Sequence, residues 1–278
     1  MAVINTNINS LNAQYALNIN ARAQSKAMLQ LSTGSRINGA ADDSAGLAMS
    51  ETMTAQIRGL NMAVKNANDG VSLLQTAEGA MVQQTNMLQR MRELAVQASS
   101  DTVTSDGLTN LDTEFQALLT EINRIGTNTQ WNGKDLLVKT GGAKRDGTYN
   151  FQVGANASQF ITVTIDKMTD AGALSDIASQ DVTTAAKATT AIGKIDSALT
   201  AMGTMRATIG ATINQLTYAA DNLATVSTNA SQSRSRLMDT DFAAASSELA
   251  RTQIIAQAGT AMLAQANQQP QTVLALLK

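Results

Sequence analysis

The feature that most constrains this chain is an apolar repeat that runs without a strong break from Ser44 to Ser99. Within it, an apolar side chain returns at every seventh position, at Leu60, Ala67, Leu74, Met81, Leu88 and Ala95. This interval places one apolar stripe along an α-helix. At about 1.5 Å per residue such a helix is on the order of 80 Å long, far beyond the usual three turns. We therefore expect an extended helix that lies beside other helices rather than inside a globule.

Two further stripes supply partners for this helix. From about Asp181 to Asn229 the seven-residue interval recurs at Ile195, Met202, Ile209, Leu216, Leu223 and Ala230. Between them, apolar residues alternate at intervals of three and four from Leu108 to Ile125, which predicts a shorter helix folded back antiparallel on the first. Two long stripes and one short stripe predict a three-helix bundle.

Each end of the chain carries one more amphipathic segment. Residues 5–31 and 242–270 have helical spacing, and a polar link from Ser231 to Asp241 precedes the second segment. A helix of this length is marginal in water by itself, so we expect the two ends to pair with each other and with neighbouring copies. The apolar residues expected to form these contacts are Ile4, Ile8, Leu11, Tyr15, Leu249, Ile255, Met262 and Leu263.

The middle of the chain has β character. Two runs, Thr148 to Val153 and Phe160 to Ile165, flank a turn at Gly154 to Ser158 and predict a small hairpin within about residues 140–170. The predicted fold is therefore mainly α: an elongated antiparallel helical bundle or coiled coil with paired terminal helices and one small β-hairpin.

Composition excludes several classes of function. The formal charge is −2 with both signs interspersed, so neither nucleic acid nor membrane is indicated as a partner. The chain has no Cys and no His, which removes disulfides, thiolate nucleophiles and imidazole bases. The first residues lack a charged region followed by an apolar core, so we expect export by a route without a cleaved signal peptide.

Two charged clusters admit a chemical and a structural interpretation. Asp42 and Asp43 could be half of a metal or acid–base site, or could cap the long helix, and the second interpretation is favoured. Arg90, Arg92, Glu93 and Glu114 would by themselves form a solvated helix face. No catalytic constellation stands out, so we expect neither enzymatic activity nor a cofactor or metal. The stripes alone fit a coiled-coil spacer equally well.

Residue runs at both ends are more specific than the stripes. They include Ile4-Asn5-Thr6-Asn7, Leu31-Ser32-Thr33-Gly34, Asp42-Asp43-Ser44-Ala45-Gly46-Leu47-Ala48, Gln56-Ile57-Arg58-Gly59-Leu60, Leu88-Gln89-Arg90-Met91-Arg92-Glu93-Leu94-Ala95-Val96-Gln97, and Ala264-Gln265-Ala266-Asn267-Gln268. Over roughly residues 1–137 and 190–278, the chain resembles the bacterial flagellins, in a short form.

The resemblance implies a structural subunit that polymerises into the extracellular flagellar filament and serves swimming motility. It implies a terminal-helix polymerisation domain from residues 1–36 and 240–278, which forms the inner layer, and a helical domain from residues 37–239. Residues 132–189 are too few for a large outer domain. The alternative is a hook–filament junction protein or another secreted axial helical protein.

The resemblance also implies partners and contact residues. The partners are further copies of the chain, an export chaperone of the flagellar type III apparatus, the filament cap and the hook-junction proteins. The helix surface around Arg90, Leu94 and Glu114 is implied in protofilament packing and in recognition by the innate receptor Toll-like receptor 5. Gln215 and Ala245 depart from the Arg and Glu that are usual in the family, so intersubunit salt bridges there are missing or moved.

Overall fold

The computed structural model describes residues 6–138, 147–169, 172 and 174–275, with side chains described as far as Gln268. This part of the chain is mainly helical, as predicted. Its helices are α1 (Ile8–Thr33), α2 (Ser44–Ala98), α3 (Ser105–Asn128), α4 (Ser175–Ala178), α5 (Ala185–Met238) and α6 (Phe242–Ala275). Its strands are β1 (Gln130–Trp131), β2 (Lys134–Asp135), β3 (Thr148–Gln152) and β4 (Phe160–Thr164). The chain divides into two compact units, residues 1–56 with 229–278, and residues 57–228.

The first unit contains α1 and α6, which run antiparallel. The side-chain amide of Asn7 donates to the carbonyl oxygen of Ala266 at 2.7 Å. The side-chain amide of Asn20 donates to the carbonyl oxygen of Thr252, also at 2.7 Å. Because the earlier residue of α1 meets the later residue of α6, the two helices point in opposite directions. The predicted pairing of the two ends is therefore present within one chain. The division into functional domains at residues 36 and 240 stays a prediction.

A short backbone clamp joins the end of α1 to the start of α6. Helix α1 stops at Gly34, whose φ of 69° is in the left-handed region that glycine adopts without strain. The carbonyl oxygen of Gly34 then accepts from the N–H of Thr240 at 2.9 Å, and Ser35 pairs with Asp239. Four residues that sequence spacing placed in loops are thereby fixed by backbone hydrogen bonds.

Two helix boundaries near the C-terminal end differ from the predictions. The polar link predicted from Ser231 to Asp241 is wrong over most of its length, because α5 continues to Met238. Its polar side chains lie mostly on exposed helical faces, and some bond within the chain, as the hydroxyl of Ser235 does to Asp239 at 2.6 Å. Asp241 then accepts from the N–H of Ala243 at 2.9 Å and caps α6. Helix α6 also continues beyond Pro270 to Ala275. The proline has no N–H for the carbonyl oxygen of Ala266, which accepts from the side chain of Asn7 instead.

The second unit contains the predicted three-helix bundle. Arg90 of α2 bonds to Glu114 of α3, while Arg92 of α2 bonds to Asp196 of α5. Gln84, which precedes Arg90 on α2, bonds to Ile122, which follows Glu114 on α3. The two helices therefore run antiparallel, as predicted. The interior is filled by aliphatic, methionine and aromatic side chains, including Leu74, Met81, Leu88, Met91, Phe115, Ile122, Ile195, Met202, Ile209 and Leu216.

The predicted hairpin is present and packs on glycines of α2. Strands β3 and β4 pair antiparallel, with Thr148 opposite Thr164 and Gln152 opposite Phe160. The ring of Phe151 lies so close to Gly70 that a β-carbon there would be 2.8 Å from its Cδ1. A second, two-residue pair formed by β1 and β2 was not predicted, although Asn132 and Gly133 supply the positive φ values of 49° and 74° that a tight hairpin turn needs.

One buried polar side chain joins three segments of the bundle. Gln84 has no exposed surface, and its Nε2 donates at 3.0 Å to the carbonyl oxygens of Ile122 and Met168. It therefore connects α2 to α3 and to the segment that follows β4. A buried amide whose donor is satisfied in this way stabilises one arrangement of the surrounding backbone.

We expect Gln84→Ala to destabilise the chain by about 2–4 kcal/mol, because it leaves a cavity and removes two buried hydrogen bonds. The measurement is urea-induced unfolding followed by circular dichroism. The matched control is Gln83→Ala, since Gln83 is the exposed neighbour on the same helix. Equal unfolding midpoints for the two variants would contradict the structural role of Gln84.

Gly70 and Gly79 offer a second paired test, because both lie within α2. A β-carbon at Gly79 meets nothing within 4 Å, so Gly79→Ala should stabilise the helix by up to about 1 kcal/mol. At Gly70 the same substitution displaces Phe151, and we expect a net loss of stability. Thermal unfolding measures both effects. If Gly70→Ala raises the melting temperature as much as Gly79→Ala, the hairpin does not depend on this contact.

Candidate functional site

The acidic pair ahead of α2 has a structural role. Asp43 accepts from the N–H of Gly46 at 2.8 Å and caps α2, as favoured from the sequence. Asp42 forms an ion pair with Lys26 at 2.8 Å, and the hydrogen bond from Lys26 together with that from the N–H of Asn38 lowers the pKa of Asp42. Among the described residues, no group of three His, Cys, Asp or Glu side chains could hold a metal ion.

The terminal helices carry the largest set of exposed apolar side chains. On α1, Ile8 and Leu11 are each 56% exposed and Tyr15 is 66% exposed. On α6, Met262 is 66% exposed and Ile255 is also exposed. Large apolar side chains in such numbers on one helix pair are typical of a surface that another molecule covers.

This exposure changes the expected geometry of the helix pair. The apolar residues of α1 were expected to meet those of α6, yet Ile8, Leu11 and Tyr15 face outward. Leu249 and Leu263 are only half-buried, and Ile4 lies outside the described residues. The reason is that a single pair of helices buries a narrow strip of each, and the apolar stripe of α1 is rotated away from that strip.

The buried strip itself is made of small and polar residues. We call the interface between α1 and α6 the terminal seam. Its buried members in the described part of the two helices are Ser10, Asn20, Ala27, Ala245 and Thr252. Close packing occurs at Gly259, where a β-carbon would lie 2.6 Å from Cδ2 of Leu17.

A groove of about 450 Å³ runs beside the terminal seam and is mostly apolar. Ala13 and Leu17 line it from α1, and Ile255 and Met262 line it from α6. Two predicted contact residues, Ile255 and Met262, are thus brought together here. Sequence reasoning missed Asn20 and Gly259, whose only signal was a polar or very small residue on the inward side of an amphipathic helix.

The second predicted surface is an exposed charged cluster in the bundle. Nε of Arg90 donates to Glu114 at 2.9 Å, and its Nη1 donates to Glu93 at 3.1 Å. The bonds to Glu114 and then Glu93 raise the pKa of Arg90 further above its usual value. All three side chains remain about half exposed or more. Arg90 and Glu114 therefore share one accessible face, as predicted.

Leu94 does not belong to this face. It is 1% exposed and packs inside the bundle core, so the prediction that it shares the exposed surface with Arg90 is wrong. One turn of α2 separates the two residues, and the inward direction at position 94 follows from its place on the apolar stripe. Leu94 supports the charged face from below and offers no contact area to a partner.

In the part of the chain that the structure describes, every helix is too short or too polar to cross a bilayer. The apolar surface on α1 and α6 is interrupted by polar side chains such as Asn12 and Gln265. It is a mixed surface, suited to contact with another protein.

Comparison with known proteins accounts for both ends of the chain. Residues 4–141 match the N-terminal helical region of bacterial flagellin, and residues 192–277 match its C-terminal helical region. The flagellin of Halalkalibacterium halodurans is 45% identical over 276 residues, which cover 99% of this chain and 100% of that protein. The flagellin of Bacillus subtilis is 44% identical over 311 residues and 99% of each chain.

A solved structure agrees with the sequence comparison. The crystal structure of Bacillus cereus flagellin superposes with a TM-score of 0.50 at 30% identity, covering 57% of this chain and 88% of that chain. Since the match to relatives named flagellin spans the full length, the hook–filament junction alternative is not supported. The chain belongs to the bacterial flagellins and is a subunit of the flagellar filament.

Proposed function

We propose that the unit containing α1 and α6 supplies the contacts by which copies of this chain polymerise, and that it forms the inner layer of the filament. The observation that carries the proposal is the outward stripe of Ile8, Leu11 and Tyr15 on α1. In a flagellin, the available occupant of such a surface is another copy of the same chain. Met262 and Ile255 extend the apolar surface onto α6.

Burial of this stripe provides enough free energy to drive association. Each large side chain that becomes fully covered contributes roughly 1.5–3 kcal/mol relative to full exposure, and somewhat less when it is already half-covered. Five such residues contribute several kcal/mol, which offsets the cost of immobilising the helix pair only when more than one neighbouring copy contributes. The proposed role of Leu249 and Leu263 follows from their place on α6, and that of Ile4 from its place in the sequence ahead of α1.

Export of the chain without a cleaved signal, through the flagellar type III apparatus, fits its composition. A chain with no Cys forms no disulfide cross-links that would stop it from passing a narrow channel unfolded. In this proposal the chain meets an export chaperone, the filament cap and the hook-junction proteins on the way to an extracellular filament. The mainly apolar, partly polar surface of α1 and α6 is the part that such partners would shield before assembly.

The two family departures bear on how copies contact each other. Ala245 is buried in the first unit, where the carboxylate usual in flagellins would have to find a charged partner. Gln215 lies exposed on α5. We infer that apolar burial replaces an ion pair at position 245, which makes assembly less dependent on salt concentration at that place.

Polymerisation should fail when the outward stripe is made polar. We expect Leu11→Asn/Tyr15→Asn to abolish seeded filament growth, because it removes about two large side chains of buried area per contact. The helix pair should stay intact, since both residues are exposed within one chain. Sedimentation of seeded protein measures growth, and circular dichroism reports helix content. Gln14→Ser/Asn18→Ser, at exposed polar positions of the same helix, is the control. Normal filaments from the first variant would contradict the proposed contact.

A second proposed contact is the charged face of the bundle, which would bind Toll-like receptor 5 and would also contact a neighbouring protofilament. It is supported by the exposed Arg90–Glu114 pair, whose guanidinium donors and carboxylate acceptors suit a charged partner. Leu94 takes no direct part in it.

We expect Arg90→Ala/Glu114→Ala to reduce receptor activation by the soluble subunit at least about tenfold, as for a charged interface hot spot. The matched control is Arg92→Ala/Asp196→Ala, which removes an exposed ion pair of 2.7 Å from the same unit. Because exposed pairs contribute little to stability, both variants should unfold at nearly the same temperature. A reporter-cell assay measures activation. Equal activation by the two variants would remove the receptor assignment from Arg90 and Glu114.

A further inference from the structure

Apolar burial cannot by itself fix how α1 is aligned along α6. The buried members of the terminal seam are Ser10, Asn20, Ala27, Ala245 and Thr252, which are small or polar. Small side chains fit against each other in several alignments, so sliding one helix by a whole heptad costs little apolar contact. Some other interaction must select the observed alignment.

Two asparagine side chains make contacts that depend on alignment. Asn7 and Asn20 donate at 2.7 Å to the carbonyl oxygens of Ala266 and Thr252. The donors are thirteen residues apart on α1 and the acceptors fourteen apart on α6, so the bonds lie about two heptads from each other. Asn20 is buried, so a slip by part of a heptad would leave its amide without a carbonyl oxygen. A slip by a whole heptad would take Asn7 away from the carbonyl oxygen of Ala266, which has no helical donor because residue 270 is a proline.

A glycine between these two bonds favours the observed alignment. Leu17 packs onto Gly259, the only glycine of α6. A slip of seven residues would place Thr252 or Ala266 opposite Leu17. Each carries a β-carbon, and a β-carbon at the observed position would lie 2.6 Å from Leu17.

We propose that Asn7, Asn20 and the Leu17–Gly259 contact set the register of α1 on α6, and that this register specifies how the chain enters a filament. The proposal rests on the assembly role proposed above for this unit. The register matters because it fixes which residues of α6 lie beside Leu11 and Tyr15, and hence the shape of the surface that a second copy meets. A slipped pair would present a surface displaced by roughly 10 Å along the helix axis.

The two asparagines can be changed without disturbing the helices themselves. Oδ1 of Asn7 accepts from the N–H of Ser10 and caps α1, while its Nδ2 makes the bond to α6. Asn7→Asp therefore keeps the cap and replaces the donor to Ala266 by a carboxylate oxygen, which repels that carbonyl oxygen. Asn20→Leu removes the buried amide altogether, and the carbonyl oxygen of Thr252 keeps its acceptor position within α6.

The test measures register directly by spin-label distances. The chain has no Cys, so cysteines introduced at the exposed Gln14 and Ser247 are the only labelling sites. Ser247 lies about three turns along α6 from the residue opposite Gln14, so a heptad slip changes the label distance by most of 10 Å. Double electron–electron resonance is recorded on the soluble chain and on filaments in which labelled subunits are diluted with unlabelled ones.

The unsubstituted chain should give one distance. Asn7→Asp/Asn20→Leu should give a second distance, because the slipped population rises about threefold to tenfold for each bond that is lost. Its entry into filaments should fall in proportion to the aligned fraction that is lost, while its helix content stays unchanged. Asn18→Leu, which makes the same chemical change on the exposed side of α1, should leave the label distance in the soluble chain unchanged.

One unchanged distance in Asn7→Asp/Asn20→Leu, in both the soluble chain and the filament, overturns the register proposal. A second distance with undiminished filament entry overturns its link to assembly. Failure of the assembly role itself is read separately, from normal filaments formed by Leu11→Asn/Tyr15→Asn, and does not depend on the label distance.

Discussion

The burial of one heptad stripe on α2 is the interaction on which the rest of the bundle unit depends. Leu74, Met81 and Leu88 are fully buried, and α3 and α5 are arranged so as to cover them. A helix as long as α2 cannot cover its own stripe, because its hydrogen bonds lie within the helix and its side chains point outward. Once two antiparallel neighbours cover the stripe, they present an outer surface of threonine, asparagine and charged side chains. The hairpin of β3 and β4 then packs where Gly70 leaves room for Phe151.

The two units of the chain differ in where they place their large apolar side chains. In the bundle, three helices surround a continuous apolar core, and polar contacts such as the Arg92–Asp196 pair lie outside it. In the terminal unit, two helices meet along a seam of small and polar residues, and the large apolar residues point outward. A two-helix pair buries too little area to form a core of its own. Its apolar residues are therefore free for intermolecular contacts, whereas those of the bundle are not.

Hydrophobic periodicity predicted the regular helices and strands, and it missed single features such as the end of α5. The extent of α2, the antiparallel α3 and the hairpin at Thr148–Thr164 follow from regular spacing, and each is present. The end of α5 was misplaced because polar residues do not end a helix when its exposed face can be polar throughout. Leu94 was placed on the surface by resemblance, although its own position on the apolar stripe puts it inside.

The terminal seam could not be predicted for a related reason. An amphipathic pattern identifies the apolar side of α1, and that side is usually the one buried within the chain. Here the buried side is the one that carries Ser10 and Asn20, and the side that carries Ile8, Leu11 and Tyr15 faces outward. Gly259 had no signal beyond its size. Only the packing of Leu17 against it distinguishes it from a glycine such as Gly79, which has no neighbour within 4 Å.

In the pair of α1 and α6, the residues that would stabilise the pair and the residues that select its alignment are different. Large apolar side chains in the seam would stabilise α1 on α6 within the single chain, but they would leave less apolar surface to bury against a neighbour. A seam held by two hydrogen bonds to backbone carbonyls adds little net free energy, since each bond replaces one to water. Those bonds nevertheless have strict distance requirements, and so they discriminate between alignments that the small side chains would accept equally. In the assembly that we propose, polar residues provide the specificity of the pair, and the apolar residues on its outer side provide the free energy of association.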